Sequence, residues 1–365
     1  MTSPASANAR SAWLRAPWWD LACLGFCWVP FYLWVVWGLG LDGRWGADAD
    51  TSRALGTATL AALAMTYVHR HYTFLLVYGD RGTFSRRARD FILAPILTFA
   101  LVGAMRGLSH LKLIPGVSTW MVVLVVIGAW NIWHTVMQRY GILRAYAGRA
   151  RGGLETPAQG RRDLALLWVS ALLCAALVLV FRADSFAGHA NARRLMAIAG
   201  PLLKGPVPWV ILSLVAALVA GVYGRWLRHE RAARLTWSER WPRLLFLAST
   251  FALFAVFVVH GPIVGYLCFG VAHSLEYVAF VHHFGERKFA GDPANQGLVA
   301  RWMRSPWIFA PLISGALVLL FVALSDYRRS DAYLVYYMGT SLLHFLFDGW
   351  IWKVRTPAVA RPLGV

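Results

Sequence analysis

Apolar segments of membrane-spanning length recur along this chain from end to end. A helix needs about 20 apolar residues to cross the roughly 30 Å hydrocarbon core of a bilayer, and its backbone groups must find their partners within the protein. The segments that qualify are 17–41, 54–78, 91–106, 117–142, 164–182, 206–224, 244–260, 263–284, 306–325 and 332–352. A hydrophobic content of 58% also exceeds that of ordinary soluble domains. The sequence therefore predicts an all-α, polytopic transmembrane helical bundle of about ten spans.

Two features of this segment pattern predict departures from simple up-and-down spans. The third segment is short enough to be re-entrant, and the seventh and eighth are separated only by His260-Gly261-Pro262, which predicts a tight turn. We expect residues 1–365 to form a single integral membrane domain, with 1–16 as a short cytoplasmic N-terminal segment.

The basic residues of the chain predict its orientation. The formal net charge is +19, and the arginines gather in short loops between apolar segments, most densely at 225–243. Loops rich in arginine stay on the cytoplasmic side, so both termini are predicted to be cytoplasmic, in a bacterial inner membrane. The same arginines predict contact with anionic lipid of the inner leaflet. No nucleic-acid-binding motif accompanies the charge, so we do not expect a nucleic-acid partner.

Ionisable residues interrupt four of the apolar segments. Each of the four carries histidine together with a polar or acidic residue. These sequences are Tyr67-Val68-His69-Arg70-His71-Tyr72, Asn131-Ile132-Trp133-His134 with Gln138, His273-Ser274-Leu275-Glu276 with His282-His283, and His344-Phe345-Leu346-Phe347-Asp348. Ionisable side chains at membrane depth are costly and usually face the interior of the bundle, where they have a function. Under the predicted orientation all four groups lie toward the cytoplasm, which predicts one shared site, most simply a metal site.

The angular position of each residue around its helix indicates which of these residues share a face and can bind the same ion. At about 100° per residue, His134 shares a face with Gln138, and His344 shares a face with Asp348. His273 and Glu276 have the i, i+3 relation, in reverse order, of the Glu-x-x-His pairs in di-metal helical bundles. The spacing from His273 favours His283 over His282 as a ligand. His69 and His71 lie about 200° apart on a regular helix, so either one of them only orients a ligand or the helix is distorted there.

The residue types suit a metal with mixed nitrogen and oxygen ligands. The predicted ligands are His69, His71, His134, His273, His283, His344, Glu276 and Asp348, and the two carboxylates are also the candidate catalytic groups. Residues expected to orient these ligands through hydrogen bonds are Asn131, Gln138, His282, Tyr67, Tyr72, Tyr277 and Tyr337. Six histidines and two carboxylates exceed the three protein ligands of a catalytic zinc. The surplus favours two ions, or one ion with an acid/base relay, and iron is expected ahead of zinc.

The remaining histidines and the buried cations have ordinary explanations. His110, His189, His229 and His260 lie in loops or on the outer side, where packing or solvent exposure accounts for them. We expect Arg70 and Arg139 to extend toward lipid headgroups, or one of them to meet an anionic substrate.

At the level of the site, the chain resembles the histidine-rich integral-membrane di-iron oxygenases, the fatty-acid desaturases and hydroxylases. The resemblance lies in many histidines at the cytosolic ends of several spans, whereas the HxxxH and HxxHH boxes of that family are not matched. The chain also resembles, more weakly, the bacterial Brp/Blh-type carotenoid-cleavage oxygenases. These resemblances imply an O₂-dependent hydroxylase, desaturase or cleavage oxygenase that acts on a hydrophobic lipid or isoprenoid and takes electrons from a donor protein.

Other classes of function remain open at this stage. A membrane zinc hydrolase would use three histidines and an acid to cleave a lipid amide or ester. A haem protein would use two histidines on different spans. A non-enzymatic metal or proton transporter usually has broken helices near the midplane and inverted repeats, and no repeat is visible here.

Overall fold

The computed structural model of the chain describes residues 11–42, 49–114, 117–151, 156–182, 205–291 and 297–365. These residues are almost entirely helical. The helices are α1 Pro17–Gly25, α2 Val29–Gly38, α3 Ala49–Gly79, α4 Arg81–Ser85, α5 Ala88–Gly107, α6 Thr119–Arg151, α7 Pro157–Phe181, α8 Val207–Ala232, α9 Trp237–Ala290, α10 Leu298–Arg304, α11 Pro306–Leu324, α12 Asp331–Ile351 and α13 Pro357–Leu363. One antiparallel hairpin pairs β1, Lys112–Ile114, with β2, Val117–Ser118.

The predicted helical class is confirmed, and the chain is a multi-pass membrane protein by helix length and composition. Six described helices are long and apolar enough to cross a bilayer, namely α5, α6, α7, α8, α9 and α11, the last extended to Tyr327. The bent pair α1 and α2 would make a seventh. On α11 only 6% of the apolar window is buried within the protein, as expected of a helix that faces lipid. The count of about ten spans and the cytoplasmic position of the termini remain predictions.

Helices α3 and α12 carry predicted spans but lie outside this set of six. Both contain candidate site residues, His69 on α3 and His344 with Asp348 on α12. Ionisable residues lower the mean hydropathy of a segment, so these site residues, together with Arg70 and His71 on α3, weaken the membrane signal of the two helices.

The tight turn predicted at Gly261 is a break within α9. Gly261 has φ 87° and ψ 166°, a conformation that residues with a Cβ rarely adopt. Pro262 follows and has no N–H to continue the helical hydrogen bonds. The 54-residue helix is therefore two helical stretches, close to the two predicted segments on either side of the turn.

The chain divides into two compact units whose boundaries fall inside α3, α6 and α9. Unit 1 comprises 1–62, 139–272 and 364–365, and unit 2 comprises 63–138 and 273–363. The predicted single membrane domain and its N-terminal segment remain predictions, and the first ten residues lie outside the described part.

The core of unit 2 holds the helices that carry the candidate site. Val68 and Tyr72 of α3 pack in one buried cluster with Tyr277 and Val281 of α9. Helices α5 and α12 also pack closely, since a Cβ placed on Gly339 would lie 2.5 Å from the Phe99 ring. Tight packing of this kind fixes the rotation of each helix and hence the direction of its polar side chains.

A buried ion pair joins the end of α3 to the end of α9 in unit 2. Asp80 is the N-cap of α4 and accepts hydrogen bonds from Gly82 and Thr83, and its carboxylate also pairs with Lys288. Burial acts to raise the pKa of Asp80, but the hydrogen bonds from Lys288, Thr83 and Gly82 outweigh it and hold the pKa below its usual value. The carboxylate of Asp80 therefore stays ionised at neutral pH.

In unit 1, α7 and α8 form a closely packed helix pair. The Ser170 hydroxyl lies 2.7 Å from the Tyr223 hydroxyl, and Nε1 of Trp226 donates to Asp163 at 2.9 Å. Arg243 neutralises Asp163 and also pairs with Glu230. These contacts set the register of the two helices along their length.

Candidate functional site

Four histidines and one aspartate converge in unit 2. They come from four helices: His69 from α3, His134 from α6, His273 from α9, and His344 and Asp348 from α12. Each of the five residues is at most 6% exposed. All five were predicted ligands.

Their ligand atoms form two overlapping groups that share His344. His69, His273 and His344 offer nitrogen atoms that lie within 4.8 Å of one another, and so do the ligand atoms of His134, His344 and Asp348. The two Nε2 atoms of His69 and His344 are 3.2 Å apart. Oδ2 of Asp348 is 3.7 Å from Nε2 of His134 and 3.8 Å from Nε2 of His344. Two sets of three ligand atoms, which have His344 in common, are thus each close enough together to hold an ion.

The separations suit ligands of a shared metal ion, and only the 3.2 Å between His69 and His344 is also short enough for a hydrogen bond. Ligand atoms that sit about 2.0–2.2 Å from one ion lie roughly 3–4 Å from each other. The two Asp348 distances are too long for direct hydrogen bonds. Within the described residues Nε2 of His134 is buried and has no hydrogen-bond partner. Such an orphaned buried atom is costly, and a metal ion would satisfy it.

Neighbouring hydroxyl groups hold the opposite nitrogen of two of these rings. Oγ of Ser274 lies 3.1 Å from Nδ1 of His69, and Oγ1 of Thr73 lies 2.7 Å from Nδ1 of His344. In metal sites the second nitrogen of a ligating imidazole usually makes such a hydrogen bond, which fixes both the ring orientation and the tautomer.

The hydrogen bonds around Thr73 favour one tautomer of His344. The hydroxyls of Tyr277 and Thr73 both donate to Oδ1 of Asp348, at 2.7 Å and 2.9 Å. The Thr73 hydroxyl also lies 2.6 Å from that of Tyr277, and with its own proton directed at Asp348 it offers a lone pair to Nδ1 of His344, which favours that nitrogen as the donor. A neutral imidazole has one N–H, and Nε2 of His344 therefore keeps the lone pair that a metal ion needs.

Other predicted ligands are buried or half-buried elsewhere in unit 2. Nδ1 of His71 lies 2.6 Å from the carbonyl oxygen of Tyr67, and its Nε2 lies 2.8 Å from the Tyr336 hydroxyl. Among the described residues His71 belongs to neither ligand group, and the same holds for Glu276 and His283. Glu276 and His283 are both at most 2% exposed.

The residues predicted to orient ligands take several positions. Tyr277 orients a ligand directly, because its hydroxyl donates to Oδ1 of Asp348. Gln138 donates at 2.9 Å to the backbone oxygen of His273 rather than to a ring nitrogen. The Tyr72 hydroxyl lies 3.1 Å from Nε2 of His282, whereas Asn131 is half-buried one turn before His134.

A different set of tyrosines surrounds His71. The Tyr67 ring lies 4.0 Å from the His71 ring, centroid to centroid, and its hydroxyl is 2.8 Å from that of Tyr336. Tyr337 contacts Arg70, whose guanidinium group lies 4.0 Å from the ring centroid.

Thr73, Ser274 and Trp352 contact the site but were not predicted to orient it. Thr73 is four residues after His69, and Trp352, which donates to the Tyr277 hydroxyl at 3.3 Å, is four residues after Asp348. Residues spaced by four share a helix face, so this spacing was the available signal. Ser274 is adjacent to His273, and no spacing rule would have indicated it.

The expectation that Arg70 and Arg139 extend to lipid headgroups is wrong. Arg70 is 2% exposed and donates to the Tyr337 carbonyl and the Ser341 hydroxyl in unit 2. Arg139 is 1% exposed and donates to Thr250 in unit 1. Each has protein partners close by, and these replace the water or phosphate that would draw it outward.

Of the other histidines, His110 and His229 are exposed. His260 is half-buried in unit 1, and its Nε2 lies 2.9 Å from the Tyr32 hydroxyl. His189 lies outside the described residues.

Comparison of the chain with protein-family models, with curated proteins and with solved structures finds no match. The function is therefore inferred from the geometry of the site.

Proposed function

We propose that this chain is a membrane-embedded metalloenzyme whose metal is held by His69, His134, His273, His344 and Asp348. The observation that carries the proposal is the convergence of these five buried side chains from four helices. Burying several imidazoles together without a ligand leaves polar atoms unsatisfied, and a metal ion removes that cost.

Iron is the metal that we propose. Imidazole with carboxylate is a ligand set that suits non-haem iron. The sequence favoured two ions on the basis of eight ligands, whereas the structure brings five of them into two overlapping groups of three that share His344. One nitrogen of His344 cannot bind two ions at once, so a second ion would need a ligand beyond these five. A haem fits less well, because His69 and His344 are only 3.2 Å apart at Nε2 and leave no space for a macrocycle between them.

The proposed reaction is O₂-dependent hydroxylation, desaturation or cleavage of a hydrophobic membrane substrate, such as an acyl chain or an isoprenoid. Reduced iron would supply the O₂ chemistry, with electrons from a donor protein. One wall beside the site is apolar, since the Phe345 ring lies 4.9 Å from the His134 ring and 6.0 Å from that of Trp130. Aromatic side chains in this position suit an apolar substrate and exclude water.

The protein's own groups hold the carboxylate in place. Thr73 and Tyr277 both donate to Oδ1 of Asp348, and Trp352 donates to Tyr277. This leaves Oδ2 directed at the imidazoles of His134 and His344. Asp348 is therefore the proposed oxygen ligand, and no role in the reaction is assigned to Glu276.

A zinc hydrolase is the second candidate. His134, His344 and Asp348 form a three-ligand group of the kind that leaves one position open for water in catalytic zinc sites. In that case the substrate would be a lipid amide or ester.

Metal analysis and oxygen dependence separate the two candidates. We expect the purified protein to contain iron by elemental analysis. We also expect it to convert a component of a lipid extract only with O₂ and a reductant present. An oxygenase needs reduced metal and O₂ together, whereas a hydrolase needs neither. Product formed in an anaerobic chamber without reductant, by protein that contains only zinc, would replace the oxygenase with the hydrolase and leave the site intact.

We further propose that both termini are cytoplasmic, as the arginine asymmetry predicts, and that the membrane is a bacterial inner membrane. Ser238 is exposed near the start of α9, in the arginine-rich segment 225–243. A Ser238→Cys variant should react with a membrane-impermeant thiol reagent only from the cytoplasmic side, with the unmodified protein as background. Labelling of intact cells from outside would invert the topology.

A further inference from the structure

The groove between α7 and α8 in unit 1 carries unpaired positive charge over an apolar floor. It has a volume of about 310 Å³. Its lining residues are Arg161, Arg162, Arg225, Ala158, Ala165, Val222 and Trp226. Three guanidinium groups thus stand together at one end of two helices that are each apolar enough to cross a membrane.

The three arginines have no acidic partner in the groove. No aspartate or glutamate is among the described residues that line it. Within the part of the chain that the structure describes, no ion pair or side-chain hydrogen bond is found for Arg161, Arg162 or Arg225. Asp163, the adjacent acid on α7, is 1% exposed and already holds Arg243 and Trp226. The charge of the groove is therefore available to an external anion.

We propose that this groove binds the headgroup of an anionic phospholipid. Basic pockets between membrane helices, close to the headgroup region, bind such lipids through their phosphate groups. Arginine suits this contact because its planar guanidinium group can donate two hydrogen bonds to one phosphate. The apolar floor distinguishes a lipid from free phosphate, since Ala165, Val222 and Trp226 offer a surface for the upper part of an acyl chain. Arg161, Arg162 and Arg225 also belong to the side predicted to be cytoplasmic.

Matched pairs of substitutions test the proposal. Arg161→Gln with Arg225→Gln removes two charges from the groove. Arg228→Gln with Arg231→Gln removes two charges from exposed positions on the same helix, α8, that do not line the groove. Binding of phosphatidylglycerol to each detergent-purified protein would be measured by native mass spectrometry or by thermal stabilisation, with phosphatidylcholine and inorganic phosphate as parallel ligands.

The groove variant should bind phosphatidylglycerol roughly 25-fold more weakly, because each arginine near an anionic lipid contributes about fivefold. The control pair should stay within about threefold of the unmodified protein. A third variant, Ala158→Trp, narrows the exposed rim of the groove without changing charge and should also weaken binding. Equal losses in both double variants, or equal binding of phosphatidylcholine, would overturn the proposal. Stabilisation by inorganic phosphate to the same extent would mean an anion site without a lipid.

Discussion

Replacing His344 with alanine should remove most of the bound metal. His344 is the one residue shared by both ligand groups among the described side chains, and its Nε2 lies 3.2 Å from that of His69. Its loss leaves each group with two ligands, so we expect metal affinity to fall by on the order of 100-fold or more. Elemental analysis of purified protein, followed by titration with Fe²⁺ and Zn²⁺, measures the change. His134→Ala and His273→Ala should also lower the affinity for metal.

Three other histidines provide the controls for this experiment. His71→Ala should keep its metal, because His71 contacts Tyr67 and Tyr336 rather than the cluster. His110→Ala and His260→Ala should also stay near the unmodified level. The sequence left open whether His71 binds the metal or only orients a ligand, and the result for His71 decides between the two. Equal metal content in the His344 variant and in all three controls would refute the proposed site.

Replacing Thr73 with valine should weaken metal binding although Thr73 touches no metal. Valine keeps the shape of threonine but removes the hydroxyl that receives the Nδ1 proton of His344 and donates to Asp348. His344 is then free to carry its proton on Nε2, the nitrogen that the metal needs. Loss of such an orienting partner typically costs 10–100-fold in metal affinity. The readout is the affinity for Fe²⁺ or Zn²⁺, together with the imidazole tautomer observed by ¹⁵N NMR.

Two further threonine variants make this test specific. Thr73→Ser keeps the hydroxyl and should restore affinity to within a few-fold. Thr135→Val alters an equally buried threonine beside His134, whose hydroxyl bonds the Asn131 carbonyl of its own helix, and should leave the affinity nearly unchanged. If Thr73→Val bound metal as tightly as Thr73→Ser, Thr73 would not set the tautomer of His344.

Apolar segment length predicted the helical elements well. All ten predicted segments lie on described helices, and the turn at Gly261 is where the Gly-Pro pair placed it. These properties depend on local sequence, namely hydrophobic length and the backbone preferences of glycine and proline. Whether α3 and α12 also cross the bilayer depends on their neighbours, and local sequence does not determine that.

Helical phase brings some of the predicted ligands together, and the rise along the helix axis separates others. His344 and Asp348, one turn apart, do face the same point. His283 was favoured because of its angle relative to His273, but ten residues also rise about 15 Å along a helix axis. An ion bound at His273 is therefore out of reach for His283 on the same helix. When only the angle around the helix is considered, and not the rise along its axis, too many residues are predicted to reach one site.

The contacts that orient the ligands could not be predicted from one chain segment at a time. Thr73 on α3 reaches His344 on α12, and Trp352 reaches Tyr277 on α9. Which hydroxyl meets which ring depends on how the helices of unit 2 pack, and packing is fixed by contacts between residues far apart in sequence. The tautomer of His344 follows from the same packing.

The low hydropathy of α3 and α12 implies that assembly of the protein in the membrane depends on the supply of metal. Both helices carry proposed ligands, and neither is among the helices that qualify as spans by apolarity alone. If both cross the bilayer, their polar faces are tolerated only after they meet partner helices and an ion. We therefore expect newly made chains in metal-starved cells to stay incompletely assembled and to be degraded. Cellular abundance would then follow the availability of the metal, without any dedicated regulator.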